Sequence, residues 1–571
     1  MTRGGRQGWI AGATVTSLGT LGSRVLGMVR DMATAALLGL AGSGVMDAFV
    51  VAFRVPNLFR RLLGEGALAA GYVPVLAEAL ERDRTEAWYL ARKIMLWIGA
   101  ISAAAVLVAE IGFGVLALCC QRPPETTLAL GLGAVLMPYV LLASLAALMA
   151  ASLQCLGEFA LPAATPMLLN VCWLVAAWGV APHFVAKQSQ AYVLAFSVLV
   201  AGALQVAVQW ARLRQHGFQP TRALVPAQLA ASEHLRQILA RLGPMGFGMA
   251  VTQINALLAS LLAWLLTAPV GPVASDRAGS ATALSPPMAS TPDDPNAAFR
   301  SGLGWRPLDR GAAAALYYAE RVYEFPLGMI GVAAGTAMFP LLSRQAARGQ
   351  HREFSAALTL GLQWVMFLGI PASAGLILLA DPLVRLLFQR GAFSADDALR
   401  TARVIRLSAT GIWAYCAVPV MVRAYYALGE MRAPVRIGAL AILWNLAVGA
   451  MLVGYLAEGA LALAGATAAV VQMVLLGAGL LRSQTPPQTG ALAATAARAL
   501  AAAGAMFLAG RLLLTRLNVA DTTAGRLIAV TVPLGVCLAV YLGTYVALGG
   551  RLFTSGNGPP ESGTASGPSE P

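Results

Sequence analysis

Charged side chains lie inside two apolar stretches near the start of the chain. Residues 22–39 read GSRVLGMVRDMATAALLG, and residues 46–74 read MDAFVVAFRVPNLFRRLLGEGALAAGYVP. Together the two stretches contain Arg24, Arg30, Asp31, Asp47, Arg54, Arg60, Arg61 and Glu65. A charge at the centre of a bilayer costs about 2.5–3.5 kcal/mol on insertion scales. We therefore expect these side chains to face one another, water or a charged cargo.

Helical spacing predicts how they face. At about 100° per residue, Arg24 and Asp31 fall on one face of the first helix, and Arg30 lies on the shoulder of that face. In the second stretch one stripe is shared by Asp47, Arg54, Arg61 and Glu65. The pattern favours a cationic, partly wet cavity between helices. The alternative is snorkelling at the membrane edge, which fits Arg60 and Arg61 best.

Composition indicates a polytopic membrane protein without enzymatic activity. Of the 571 residues, 58% are hydrophobic and 12% are charged, whereas about 25% are charged in a soluble domain. Fourteen candidate spans can be placed along the chain, each with the roughly 20 apolar residues that a bilayer requires. The net charge of +14 is better explained by basic cytoplasmic loops and an anionic partner than by nucleic acid. The cysteines and histidines have no spacing typical of a metal site or catalytic triad, so we expect no metal and no cofactor.

The order of spans and loops predicts five units. These are an N-lobe of spans 1–6 (residues 1–211), a cytoplasmic amphipathic linker (212–244), a C-lobe of spans 7–12 (245–482), spans 13 and 14 (483–550) and a disordered tail (551–571). An external insertion at 269–310, rich in Pro, Ser, Gly and Asp, interrupts the C-lobe and is expected to be mostly disordered. A basic loop predicted at 78–93 places the N-terminus, and by alternation the C-terminus, in the cytoplasm.

An internal repeat supports the two lobes. LGEFALP at 156–162 matches LGEMRAP at 428–434, an offset of 428 − 156 = 272. YVPVLAEA at 72–79 resembles MFPLLSRQ at 338–345, an offset of 338 − 72 = 266. Both pairs end an even-numbered span, as a six-span unit used twice would give. Parallel repeats of this kind are a transporter architecture, with the cargo site between the lobes.

Two further motifs belong to the second lobe. YYAERVYEFP at 317–326 places Glu320, Arg321 and Glu324 in an otherwise apolar span. Farther on, Ser394 precedes two aspartates in AFSADD, which predicts a helix that begins at this serine as N-cap.

Four of these stretches resemble the MurJ (MviN) family, whose members are lipid II flippases of the multidrug/oligosaccharidyl-lipid/polysaccharide exporter superfamily. The stretches are GSRVLGMVRD, MDAFVVAFRVPNLFRRLLGEGA, YYAERVYEFPLG and LLFQRGAF. The resemblance covers nearly all of the chain through span 12, is strongest in the first 80 residues, and fails in the insertion and the tail. It implies an all-α, multi-pass inner-membrane protein of fourteen helices, with two pseudo-symmetric six-helix lobes around a central cavity and two extra C-terminal helices.

The resemblance also implies a cargo. Family members carry the undecaprenyl-pyrophosphate-linked disaccharide-pentapeptide from the cytoplasmic to the outer leaflet by alternating access, for cell-wall synthesis. Several guanidinium groups suit a pyrophosphate, because they stay charged and donate hydrogen bonds in a fork. Besides this lipid, we expect membrane lipids and cell-wall synthesis proteins as partners.

The site residues follow from the same resemblance. The family's functional positions fall on Arg24, Arg30, Asp47, Arg60 and Arg321. The candidate substrate-binding set is completed by Ser23, Asp31, Glu320 and Asn170. The acidic members of the set are expected to hold the arginines while the cavity is empty. For Asn170 a hydrogen bond between helices is the alternative.

The sequence departs from the family at one proposed ion site, and three other functions remain open. Ala259 and Gly449 stand where some members have acidic residues proposed to bind sodium, which argues against sodium coupling. A drug/cation antiporter would need an acidic, aromatic cavity. A flippase for another polysaccharide lipid would also need arginines. A membrane scaffold for a cell-wall complex would pair its arginines with protein carboxylates alone.

Overall fold

The computed structural model is a bundle of helices. It describes residues 3–40, 42, 44–64, 67–119, 123–218, 253–267, 307–517 and 519–550. Outside helices, these residues form one isolated parallel bridge, between Thr267 and Leu308. Most of the predicted linker lies outside the described residues, as do most of the insertion and the C-terminal tail.

The bundle consists of two consecutive sets of helices and a C-terminal pair. The first half contains α1–α8: Arg3–Leu38, Val45–Gly64, Ala67–Arg82, Arg84–Cys119, Pro124–Leu136, Tyr139–Cys155, Ala160–Val175 and Lys187–Gln215. The second half contains α9–α16: Gln253–Leu265, Ala312–Pro326, Ala333–Ala347, His351–Leu387, Ala395–Ala409, Ile412–Ala427, Arg432–Leu456 and Glu458–Leu481. The pair α17 and α18, Thr489–Arg516 and Thr523–Ala547, packs against α12.

Among the described residues, length and composition mark ten helical units as able to cross a membrane, and the bent pair α13–α14, with an angle of 47°, makes an eleventh. The three other predicted spans correspond to α1, to α2 with α3, and to α9. The second of these contains the charged stripe at 47–61, so its composition is less apolar than that of an ordinary span. The count of fourteen stays a prediction.

Three apolar cores show how the halves meet. One core belongs to the first half alone and includes Tyr72, Trp88, Met149 and Phe218. A second belongs to the second half, apart from a contact with Leu492 of α17, and includes Leu342, Phe354, Val420 and Leu476. The third draws on both halves and includes Phe49, Trp173, Tyr318 and Phe388. We call the end of the bundle where α1 ends and α10 begins the joined end, and the end where α6 and α14 end the split end.

The turns at the split end repeat between the halves. Gly157 follows α6 with φ +81°, and Gly429 follows α14 with φ +79°. Their separation is 429 − 157 = 272 residues, the offset of the LGE motifs. A positive φ favours glycine because it has no Cβ, which explains why both motifs have glycine at this position.

Two sequence predictions were wrong in detail. The basic segment 78–93 is not an extended loop, since α3 continues to Arg82 and α4 begins at Arg84. Charges there mark the end of the apolar region but do not stop a helix. The last residues of the predicted insertion are also ordered, because Leu308 is buried in an apolar cluster with Ala263 and Val453. The N-cap prediction is confirmed: Ser394 and Asp397 form a capping box at the start of α13.

Candidate functional site

The site begins on α1, where Arg30 and Asp31 are both buried. The Arg30 guanidinium donates to Asp31 Oδ1 through Nε at 2.9 Å and through Nη2 at 2.7 Å. Its Nη1 donates to Asn170 Oδ1 at 3.2 Å, and its Cζ lies 4.7 Å from the centre of the Trp173 ring. A buried guanidinium needs such partners, because unpaired it would lose its hydration without compensation. The pair is thus held between α1 and α7.

Asn170 also ties the two helices together. Its Nδ2 donates to the backbone oxygen of Ser23 at 3.0 Å, while its Oδ1 accepts from Arg30. Ser23 therefore takes part through its carbonyl. The alternative interpretation of Asn170 is confirmed, since its side chain links two helices and orients an arginine. Its contact with a cargo stays a prediction.

The second half contributes Arg321, on α10. Its Nη1 donates to Glu324 Oε2 at 2.7 Å, and its Nε lies 3.8 Å from Asp31 Oδ2. Asp31 thus stands between Arg30 of one half and Arg321 of the other. The Arg321 Nε is buried and donates no hydrogen bond to any described residue. A buried N–H without an acceptor is costly, so this nitrogen is a donor available to an anion.

Tyr317 lies among the arginines. Its hydroxyl donates to Asp31 Oδ1 at 3.1 Å, and Arg30 Nη2 is 3.5 Å from its oxygen. The Arg321 Cζ lies 4.7 Å from the ring centre. A cation over an aromatic face is attracted by the ring quadrupole. Tyr317 begins the YYAERVYEFP motif but was not among the predicted site residues. Its position four residues before Arg321, one helical turn away, was the available signal.

Arg54 of α2 also contacts this ring, with its Cζ 5.7 Å from the ring centre. It forms an ion pair with Glu320 and donates from Nε to Ser260 Oγ at 3.0 Å. Three helices, α2, α9 and α10, are therefore linked by one side chain. The sequence placed Arg54 on the charged stripe without assigning it to the site.

Arg24 differs from the buried arginines because it is exposed. No described carboxylate forms an ion pair with it. Its guanidinium lies against Gly328, where any side chain would overlap it. Gly328 belongs to the π-helical segment Leu327–Val332 that follows α10. Such segments are rare and are found often at functional sites.

Asp47 has a different role from the one the sequence predicts. Its carboxylate accepts the backbone N–H groups of Gly311 at 2.5 Å and Ala314 at 2.8 Å, at the start of α10. The helix has no side-chain cap of its own, so its first N–H groups need an acceptor from elsewhere. The expectation that Asp47 holds an arginine is corrected accordingly. The carboxylate joins the halves at the joined end.

The other acidic candidates do hold arginines. Asp31 pairs with Arg30 and Arg321, and Glu320 pairs with Arg54. The side chain of Arg60 lies outside the described residues. Of the nine predicted site residues, the structure therefore brings together Arg30, Asp31, Asn170, Ser23 and Arg321, with Glu320 and Arg24 beside them.

Two asparagines lie one helical turn before Ala259 and Gly449, the positions aligned with a proposed sodium site. Asn445 Nδ2 donates to Asn255 Oδ1 at 2.6 Å. Gly449 packs against Leu461 and Ala464 of α16. The part of the chain described here holds no group of three or more His, Cys, Asp or Glu side chains that could bind a metal.

Comparison with known proteins shows which family has this sequence and fold. The family model "Lipid II flippase MurJ" matches residues 34–275 and 297–529. The gap falls within the predicted insertion, and the match reaches beyond span 12. It begins after the GSRVLGMVRD motif, which the sequence analysis considered part of the strongest region.

Two relatives cover most of the chain. A probable lipid II flippase MurJ of Rhizobium tropici is 30% identical over 466 residues, which are 80% of this chain and 78% of the relative. The lipid II flippase MurJ of Burkholderia cenocepacia is 30% identical over 424 residues, 73% of each chain.

Two solved structures share the fold. A lipid II flippase MurJ in an inward closed conformation has a TM-score of 0.67 at 19% identity, covering 94% of this chain and 98% of that one. An inward-facing MATE family transporter of the MOP superfamily has a TM-score of 0.54 at 13% identity, covering 80% and 93%. Identities this low support the fold alone, whereas the family model and the relatives carry the assignment: the chain belongs to the MurJ family.

Proposed function

We propose that this protein moves lipid II across the membrane, from the cytoplasmic to the outer leaflet. The relatives named above are lipid II flippases, or probable ones. The observation that carries the proposal in this chain is the meeting of Arg30 and Arg321 from opposite halves on the carboxylate of Asp31. An anion that binds both guanidiniums would take over the role of that carboxylate.

The cargo's pyrophosphate provides such an anion. Arg321 Nε is a buried donor with no acceptor among the described residues, and Arg24 is an exposed cation nearby in sequence and on the same helix as Arg30. Guanidinium groups bind phosphate oxygens through paired hydrogen bonds. In the empty state the carboxylates balance the buried arginines, and the bound pyrophosphate competes for the same donors.

Transport then follows from a movement of the two halves. We assign the predicted lobes, residues 1–211 and 245–482, to these halves, with 212–244 as their linker and 483–550 as the additional helix pair. The matching glycines at 157 and 429 support a repeated unit. Rocking of the halves about the arginine site would expose it to each side of the membrane in turn. Moving the lipid makes and breaks no covalent bond, so we assign no catalytic residue.

Orientation and location complete the proposal. Both termini lie in the cytoplasm of a cell whose inner membrane contains the protein, and the joined end faces outward. Basic residues of the split end, such as Arg84, Arg212 and Arg348, support this orientation by the positive-inside rule. Membrane lipids and cell-wall synthesis proteins are the other expected partners.

Complementation tests this function. Cells depleted of their lipid II flippase would receive the wild-type chain, Arg24→Ala, Arg30→Ala or Arg321→Ala at matched membrane levels. Arg82→Ala is the control, because Arg82 is an exposed helix-surface residue paired with Glu78. We expect rescue by the wild type and the control only. A wild type that inserts but does not rescue would overturn the proposal and favour another lipid cargo or a scaffold role. Rescue by all the variants would remove the arginines from the cargo site.

A further inference from the structure

The buried arginines divide into two groups around Tyr317. Arg30 and Arg321 share Asp31 on one side of the site. Arg54 makes its contacts with Glu320 and Ser260 and has no ion pair with Asp31 among the contacts of the described residues. The ring of Tyr317 contacts both groups, with its centre 4.7 Å from the Arg321 Cζ and 5.7 Å from the Arg54 Cζ.

The two groups differ in their free donors. Arg321 has a buried Nε without a hydrogen-bond acceptor in the described part of the chain, whereas no nitrogen of Arg54 is in that condition. The Arg54 and Glu320 side chains are 7% and 10% exposed. Arg54 thus already has protein partners on two other helices, Ser260 on α9 and Glu320 on α10.

Glu320 explains why such an arginine is needed. It directly precedes Arg321 in the sequence, so its carboxylate lies on the helix that presents Arg321 to the cargo. A buried carboxylate without a partner would carry a full negative charge beside the site for an anion. Like charges in a poorly solvated site repel strongly, and one unpaired buried charge is itself destabilising.

We propose that Arg54 is a positioning residue that neutralises Glu320, and that it does not bind the cargo itself. This inference rests on the proposed lipid II cargo. It follows that the buried arginines of this site have two different roles. Arg30 and Arg321 exchange Asp31 for the pyrophosphate, whereas Arg54 keeps its carboxylate throughout.

Charge removal in pairs tests the assignment. Arg54→Gln, Glu320→Gln and the double variant would be purified as full chains in detergent, and their affinity for fluorescent lipid II would be measured. We expect Arg54→Gln to weaken binding about tenfold or more, since it leaves Glu320 charged and unpaired. Glu320→Gln, which removes a negative charge, is expected to bind more tightly. The double variant should return to within about threefold of wild type, which is the coupling that a double-mutant cycle detects.

Two results would overturn the assignment. One is a double variant that binds as weakly as Arg54→Gln while it unfolds at the wild-type temperature, because Arg54 would then contact the cargo directly. The other is wild-type affinity in Arg54→Gln. If Arg54→Gln does not accumulate in membranes, the comparison of the double variant with wild type decides. A double variant within about threefold of wild type identifies a positioning residue, and one that binds more weakly than that identifies a cargo ligand.

The controls separate this inference from the proposed function. Arg82→Gln removes an arginine from an exposed ion pair with Glu78 and should bind like wild type. If wild type itself does not bind lipid II, the proposed function fails. If wild type binds and the double variant does not recover, only the assignment of Arg54 fails.

Discussion

The two ends of the bundle hold the halves together in different ways. At the joined end, backbone and side chains of both halves make direct bonds: Ala392 N donates to Ala36 O at 2.8 Å, and Asp47 accepts from Gly311 and Ala314. At the split end, each half has its own apolar core. The halves can therefore separate at the split end without exposing either core to water or lipid. At the joined end, separation must break named bonds and divide a shared core.

Arg30, Asp31 and Arg321 lie between these two ends, so the difference between the ends bears on transport. An anion that binds Arg30 and Arg321 competes with Asp31, the carboxylate that now links the halves in the middle of the bundle. Opening of the joined end is then resisted chiefly by contacts that the cargo does not touch. The following predictions test this contrast from the strongest contact to the weakest.

A cross-link at the joined end should abolish transport. Ala36→Cys with Ala392→Cys would be made in a chain whose six native cysteines are replaced by alanine. The two backbones are hydrogen-bonded at this point, so the two cysteines would lie on chain segments in direct contact. Oxidation should stop lipid II flipping in proteoliposomes, and reduction should restore it. Each single cysteine variant is the control. Continued flipping by fully cross-linked protein would mean that the joined end does not open.

Asp47→Ala should weaken the joined end with the next largest effect. It removes the acceptor for two buried N–H groups at the start of α10. An unsatisfied buried group costs about 1–3 kcal/mol. We expect a lower unfolding temperature and a larger distance between spin labels placed on opposite halves at this end. Label distances identical to wild type would show that Asp47 caps the helix without joining the halves.

Glu125→Gln should have a smaller effect at the same end. Glu125 of α5 pairs with Arg310, N to O distance 2.8 Å, and both side chains are partly exposed, at 15% and 30%. Pairs open to solvent contribute about 0–1 kcal/mol and are weakened by salt. Label distances should therefore increase slightly at low salt and match wild type at high salt. The exchange Glu125→Arg with Arg310→Glu should restore the wild-type distances, and its failure would show that the ion pair is not the cause.

Glu158→Gln should leave the spacing of the halves unchanged. At the split end Glu158 contacts Arg212 and His216, all from the first half. Hydrogen bonds from Arg212 and His216 lower the pKa of Glu158. A lowered carboxyl pKa stabilises the fold above the unfolded value of about 4.3 and loses this effect as the pH falls through the folded value. The unfolding temperature of the variant should therefore depend less on pH than that of wild type below about pH 4.5. A changed label distance between the halves would contradict the picture of separate cores.

Local signals made parts of this structure predictable. Ser394 was identified as an N-cap from three neighbouring residues, and the capping box is present. Buried charge in an apolar stretch likewise indicated Arg30 and Asp31, because the cost of such residues is independent of the rest of the fold. Arg321 was assigned from the family resemblance. The repeat at 156 and 428 was also visible, since the same turn needs the same glycine.

Partners far apart in sequence were not predictable. The contact of Tyr317 with Asp31 joins residues 286 positions apart. Asp47 was expected to pair with an arginine. Its charge alone does not reveal that α10, which is distant in sequence, begins beside it and has no side-chain cap. The segment 307–310 was assigned to a disordered insertion because its composition is that of a loop, yet Leu308 is buried. In each case, packing between elements decided what the local pattern left open.

The most direct test of the central claim is the affinity of the purified protein for fluorescent lipid II, measured for wild type, Arg30→Ala, Arg321→Ala and Arg82→Ala. We expect Arg30→Ala and Arg321→Ala each to weaken binding about tenfold or more, as expected for the loss of one charge-assisted contact of about 1.5–3 kcal/mol. Arg82→Ala should bind like wild type, because its side chain is exposed. Wild-type affinity in both Arg30→Ala and Arg321→Ala would show that the paired arginines between the halves do not bind the cargo.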